Sequence, residues 1–274
     1  MKKNQLNLLI LLTVSIISFS CYKETGDDID NQEKYYLLNK EATAQVKFVH
    51  AYTPLTINGL TAGTTTAGVG FRINMDGNKI NGATNTSGFT NTLVYGGVYP
   101  PTTAYSFLPP GQRNFKMTMN RIVSGAYAPT TADDVFNSTV NLVAGKRYSM
   151  FLADPYPTPS IYMLEDNYSK PNGNFYAIRF INLCGDLTSR FDVYSMREGQ
   201  VLFSNVGNKE VKNFVFYPIR SKADTILLRN AGTTTTIAQV NGFSPGPEKV
   251  YTFYARGKTG VTGRTPGITF YTNR

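Results

Sequence analysis

The chain has no tryptophan, one histidine and two cysteines among its 274 residues. Each scarcity removes a class of chemistry. Without tryptophan the strongest aromatic platform for stacking a sugar is missing, although tyrosine can take that part. A Ser-His-acid triad or a zinc site would have to be built on His50, and no Cys-His or His-x-His spacing accompanies it. The only thiols are Cys21 and Cys184, so the fold must rest on its core and not on a disulfide framework. Beyond the leader no amphipathic helix of ten residues or more is visible, so no glycine-rich phosphate loop can open one. The chain instead holds 18 tyrosines and 17 phenylalanines, which supply large apolar faces for a core.

The first residues read as a secretory leader. Lys2 and Lys3 precede an apolar run from Leu6 to Phe19, Ser20 closes it, and Cys21 follows. The run covers 14 residues, short of the roughly 20 that a spanning helix needs, and Asn7, Thr13, Ser15 and Ser18 dilute it. A cysteine directly after the cut resembles the bacterial lipoprotein box, whose thiol is acylated and becomes the mature N-terminus. Ser18-Phe19-Ser20-Cys21 keeps the small residue before the cysteine and lacks the leucine and the alanine or glycine of the strict pattern. Such looseness resembles lipoproteins of the Bacteroidetes type. Plain secretion with Cys21 free is the alternative.

Residues 22–41 carry six acids against three lysines, a composition that favours a solvated tether. The stretch is similar to the lysine-plus-acid signal that sends some Bacteroidetes lipoproteins to the outer leaflet. The expected organisation is therefore a signal peptide over 1–20 and a lipidated acidic tether over 21–43. The expected location is the cell envelope, as an outer-membrane lipoprotein displayed at the surface and held to the membrane by lipid on Cys21.

Removing the leader leaves 25 basic residues against 18 acidic, a net charge of +7. Lys47, Arg72, Lys79, Arg113, Lys116, Arg121 and Arg179 are scattered singly, with no basic run or basic helix. This is a solvated surface and not a nucleic-acid footprint.

Almost every apolar segment alternates with period two and is rich in Val, Ile, Phe, Tyr and Thr, the mark of half-buried strands. Strands are expected over 45–51, 69–75, 91–95, 104–108, 113–119, 138–143, 147–153 and 160–164. They continue over 175–183, 190–196, 200–206, 213–219, 224–229, 235–240, 249–255 and 267–272, separated by Gly, Pro, Asn and Asp turns. The chain also repeats itself. Gln45-Val-Lys-Phe-Val-His50 aligns with Ala177-Ile-Arg-Phe-Ile-Asn182, Phe71-Arg-Ile-Asn74 with Phe191-Asp-Val-Tyr194, and Lys146-Arg-Tyr-Ser-Met-Phe151 with Lys249-Val-Tyr-Thr-Phe-Tyr254. The order and spacing agree, as in an internal duplication. The expected fold is all-β: two tandem immunoglobulin-like antiparallel β-sandwiches, over 44–168 and 174–274, joined by the short hinge Lys170-Pro-Asn-Gly-Asn174.

Val46-Lys-Phe-Val-His-Ala51, its echo Ile178-Arg-Phe-Ile-Asn-Leu183, the closing Tyr251-Thr-Phe-Tyr-Ala-Arg-Gly257 and the approach Leu164-Glu-Asp-Asn167 resemble domain-of-unknown-function family 4397. In the first copy, the family's small polar turn after the histidine is replaced by Tyr52-Thr-Pro-Leu55 and a glycine-threonine insertion. The resemblance implies extracellular or lipid-anchored β-proteins with an immunoglobulin-like sandwich, and it brings no catalytic residue.

Functional candidates are few. His50 and its counterpart Asn182 close equivalent strands, where such side chains commonly cap backbone groups. Asp133-Asp134 and Glu165-Asp166 read as capping or solvated acids. Asn74-Met-Asp-Gly-Asn78 reads as a hairpin and not a calcium loop, because it lacks alternating acidic ligands and a closing Glu. Cys184 reads as a small buried hydrophobe. Tyr95, Tyr99 and Tyr105, together with Tyr156, sit in Pro- and Gly-rich loops that can present tyrosine to a glycan or protein ligand. The sequence therefore leads to a non-catalytic binding or adhesion module, with no catalytic residue, metal or cofactor assigned and no nucleic-acid partner. A structural subunit of a fimbria-like assembly stands second and a glycan-acting enzyme third.

Overall fold

The structure, a computed structural model, describes residues 42–51, 56–57, 60–61, 71–81, 93–119, 122–123, 126–127, 133–153, 159–261 and 263–274. The leader, Cys21, the acidic stretch to residue 41, most of the glycine-threonine insertion and Tyr156 lie outside the described residues.

The described chain is all strand and turn. In its first half run β1 (Ala44–His50), β2 (Thr56–Ile57), β3 (Leu60–Thr61), β4 (Phe71–Met75), β5 (Asn78–Lys79), β6 (Val98–Tyr99) and β7 (Ser106–Leu108). They are followed by β8 (Gly111–Met119), β9 (Ile122–Val123), β10 (Ala126–Tyr127), β11 (Asp134–Leu142), β12 (Arg147–Ala153) and β13 (Ser160–Glu165). The second half holds β14 (Phe175–Asn182), β15 (Phe191–Ser195), β16 (Gln200–Val206), β17 (Val211–Pro218), β18 (Asp224–Asn230), β19 (Thr236–Phe243), β20 (Val250–Arg256) and β21 (Gly267–Thr272).

Each half is a sandwich of two sheets. In the first, β13-β12-β1-β6, with β7 also on β1, packs over β11-β8-β4-β5. In the second, β17-β14-β20-β21 packs over β16-β15-β18-β19. The registers of the halves coincide. Lys47 pairs with Ser149 as Arg179 pairs with Thr252, and Ala44 pairs with Leu108 as Tyr176 pairs with Tyr217. Asp76 and Gly77 both have positive φ, 48° and 84°, and form the two-residue turn of the β4–β5 hairpin.

Three details depart from the expected antiparallel pattern. In each inner sheet the central pair, β1 with β12 and β14 with β20, is parallel. These four strands are also buried along almost their whole length and do not alternate. Both features have one cause, because parallel strands persist where both faces are covered. Val46, Phe48, Met150 and Leu152 point into the first core, and Ile178, Phe180, Tyr251 and Phe253 into the second. The residues between them, Val49, Ala51, Phe151, Ala153, Ile181, Leu183 and Tyr254, form a third apolar cluster between the two inner sheets. The molecule is thus a stack of four sheets, and burying each aromatic ring of this seam contributes about 4–6 kcal/mol as an upper bound. Finally, of the strand expected over 91–95, the described residues 93–95 hold a single bridge, between Leu93 and Phe71. The chain turns there because Gly97 N–H donates to Val94 O and Gly96 takes a φ of 76°.

Candidate functional site

The side chains with chemical potential gather along the seam, at two levels. The first is set by the basic residue in the middle of β1 and of β14. On a strand covered on both faces, Lys47 and Arg179 cannot reach water, and both are buried. Arg179 is ion-paired with Asp166, which follows β13, and both side chains are out of solvent. Its Nε donates to Thr252 Oγ1 at 2.8 Å and its Cζ lies 4.6 Å from the Phe214 ring centroid. Burial works against the guanidinium charge, but the Asp166 carboxylate prevails and holds its pKa above the ordinary value.

Asp166 is the hub of this level. Tyr105 Oη donates to its Oδ2 at 2.7 Å, and Ser149 Oγ lies 2.9 Å and 2.7 Å from its two oxygens. Tyr271 Oη donates to Ser149 Oγ at 2.6 Å, Thr252 Oγ1 to Asn273 Oδ1 at 2.7 Å, and Asn273 Nδ2 to Tyr105 Oη at 3.1 Å. Burial, followed by the Asp166 charge, drives the Tyr105 phenol far above its ordinary pKa, so it remains a donor. Lys47 Nζ donates to Thr102 O at 2.8 Å and sits 4.9 Å from the Tyr105 centroid. Desolvation lowers its pKa to about 8, against the pull of Asp166. Both carboxylate oxygens of Asp166 are therefore occupied, Oδ1 by Ser149 and by Arg179 of the second half, Oδ2 by Ser149 and Tyr105.

The second level lies at the C-terminal ends of β1 and β20. Here Tyr95, in the turn before β6, meets two arginines of the second half. Arg256 Cζ is 4.2 Å and Arg264 Cζ 4.1 Å from the Tyr95 ring centroid. Arg256 closes β20, and Arg264 is carried by the loop to β21. That loop is folded back on itself: Lys258 N–H donates to Arg264 O at 2.7 Å, and a Cβ on Gly257 would lie 2.3 Å from Thr265 O. Gly96 is equally constrained, since a Cβ there would meet the Arg256 guanidinium at 2.8 Å. Tyr254 Oη donates to Gly96 O at 3.0 Å and ties the turn to the second half.

His50 lies beneath this cluster, wedged between Phe71 and Tyr95 at ring-centroid distances of 4.6 Å and 5.7 Å. Burial, then the charges of Arg264 and Arg256, depress its pKa to about 3. Its Nδ1 is buried with no hydrogen-bond partner among the described residues. The expectation of a backbone cap therefore fails for His50 and holds for Asn182. Asn182 Nδ2 donates to Ser189 O and Val206 O at 3.1 Å each, and its Oδ1 accepts from Cys184 N–H at 3.1 Å.

The loop tyrosines divide among different surroundings. Tyr95, Tyr99 and Tyr105 are all partly buried: Tyr99 packs on the first core, Tyr105 serves Asp166 and Tyr95 lies against the arginines. Tyr95 follows Val94, which is 52% exposed. Cys184 is buried in the second core with its thiol pushed up to about 12, chiefly by desolvation. Asp134 pairs with Lys116 at 2.8 Å. Asp166 carries the seam although the sequence reads it as a solvated acid. The available signal is its near neighbour Arg179, a basic residue inside an apolar strand.

Residues 44–189 match the family model described as a domain of unknown function, DUF4397. The chain belongs to that family. The match begins with β1, passes the hinge and includes β14, so the DUF4397 region contains both partners of the Asp166–Arg179 pair. No curated protein matches the sequence. Among solved structures, the chain is similar to the Bacillus anthracis TIE protein at 11% identity and a TM-score of 0.20, over 79% of this chain and 34% of that one. It thus spans about a third of that protein's length. It is also similar to a candidate cell adhesion protein of Bacteroides fragilis at 13% identity and a TM-score of 0.18, over 85% of this chain and 98% of that one. At these TM-scores neither likeness supports an argument about this DUF4397 chain.

Proposed function

We propose that this DUF4397 chain is a non-catalytic binding or adhesion module of the bacterial cell envelope. Lipid on Cys21 holds it at the outer membrane, and two copies of one sandwich are presented at the surface. The observation that carries this reading is the seam. Polar groups buried at the seam are engaged across it: Asp166 with Arg179, Ser149 with Tyr271, and Lys47 with its Nζ 5.8 Å from the Tyr271 ring centroid. What faces solvent at the seam is a cluster of charge and aromatic edge at Tyr95, Arg256 and Arg264, suited to contact and not to turnover. The matching registers of the halves support the duplication, and the leader supports the lipid anchor.

Fractionation of cells expressing the chain and its Cys21→Ser variant tests the anchor. The parent is expected in the outer-membrane fraction and the variant in the soluble one. A variant that stays with the membrane overturns the anchor, and blank glycan and matrix-protein arrays overturn the binding reading.

A further inference from the structure

We infer that Tyr95, Arg256 and Arg264 form a binding site for the carboxylate or sulfate groups of an acidic saccharide; this rests on the binding-module reading above. Two guanidiniums stand within 4.2 Å of one ring centroid, so positive charge is concentrated at a single spot on the rim of the seam. Burial lowers the pKa of Arg264; Tyr95 works the other way, and repulsion from the Arg256 charge adds to the lowering. An anion beside the two guanidiniums offsets that repulsion, and guanidinium forks match carboxylate and sulfate oxygens geometrically.

The site is held in shape before any ligand arrives. Gly96 lets the Arg256 guanidinium lie against the turn, and Gly257 closes the loop that carries Arg264. His50, neutral under the ring, adds no charge of its own. Preformed charge of this kind loses little entropy on binding.

The backbone around the cluster selects the kind of ligand. Gly96 N–H is given to His50 O, His50 N–H to Gly97 O, and Lys258 N–H to Arg264 O. With these groups paired inside the protein, a peptide main chain cannot extend a strand through them. A saccharide that presents anions on a hydroxylated scaffold needs no such edge, and the exposed Val94 beside Tyr95 provides an apolar contact for a ring face.

The experiment is calorimetric titration of the full-length chain with a heparin hexasaccharide, a galacturonate hexasaccharide, maltohexaose and poly-glutamate. Binding is expected for the two acidic saccharides only, falling with added salt and competed by inorganic sulfate. Arg256→Gln and Arg264→Gln are each expected to weaken it about tenfold or more. Arg220→Gln, at the exposed pair with Glu198, should leave it unchanged. Preference for the heparin or the galacturonate fragment assigns sulfate or carboxylate. Equal loss in all three variants, no loss in any, or equal binding of poly-glutamate overturns the assignment. Should an arginine variant fail to fold, sulfate competition on the parent chain still decides, because binding indifferent to sulfate rejects the site. Absence of acidic-saccharide binding together with hits for other ligands on the arrays removes this site and leaves the binding-module reading standing.

Discussion

The Asp166 carboxylate of the first half is ion-paired with the Arg179 guanidinium of the second, and neither side chain reaches solvent. Removing one member strands the other as a buried charge, which typically costs about 3–5 kcal/mol. Asp166→Asn and Arg179→Met are therefore each expected to destabilise the chain on that scale in urea denaturation. Because the pair spans the seam, the loss should also uncouple the halves, and calorimetry should resolve two transitions where the parent has one.

Lys47 imposes an opposite, pH-dependent burden. Its pKa is lowered to about 8 in the fold, against 10.5 for a free lysine. The unfolded chain therefore binds the extra proton between these values, and stability should rise with pH across that window by about 1.4 kcal/mol per unit at most. Below pH 8 the full penalty is present. Lys47→Met should flatten the rise and raise the melting temperature at pH 7.

His50 governs the acid side. Its folded pKa of about 3 lies below the 6.5 of a free imidazole, so only the unfolded chain takes up the proton as pH falls between them. Stability should be unaffected by this residue above pH 6.5 and should decline from there toward pH 3. Denaturation midpoints measured across that range on the parent and on His50→Phe should diverge, with the variant less sensitive to acid.

Gly96→Ala tests the turn beneath Arg256. The added methyl meets the guanidinium at 2.8 Å in a backbone held at a φ of 76°. A cost of about 1–3 kcal/mol is expected, the usual range for a non-glycine residue forced into that region. The equivalent change at Gly111, with φ of 96° and open space around its Cβ, carries the backbone strain without the collision. Thermal melts of the two variants should therefore separate steric displacement of Arg256 from strain alone.

How much of this was legible in the sequence differs from residue to residue. The like order of strands in the two halves was readable because matched strands keep matched side chains: Phe48 and Phe71 lie in the first core, Phe180 and Phe191 in the second. The Asp-Gly hairpin at 76–77 was readable because its backbone demands are local. The seam was not. Lys47 and Arg179 interrupt their apolar strands and so imitate the polar side of a half-buried strand, while the strands that cover them carry Ser149 and Thr252, about a hundred and about seventy positions away. Tyr95 fails for the same reason, since its partners Arg256 and Arg264 come from the far end of the chain. A turn composition announces a loop but says nothing about what docks on it.

The parallel pairing at the centre of each inner sheet has a temporal consequence. Gln45 emerges early in synthesis yet must wait for Arg147, about a hundred residues later, to acquire its neighbour, and Ala177 must likewise wait for Val250. Loops of that length make closure slow. Until β12 arrives, β1 stands with one flank open and its apolar faces uncovered. The seam can form only when β20 and β21 complete the second inner sheet. A chain cut short before Gly267 lacks β21 and with it the Tyr271 hydroxyl that donates to Ser149, and it should be held as an unclosed, protease-sensitive intermediate.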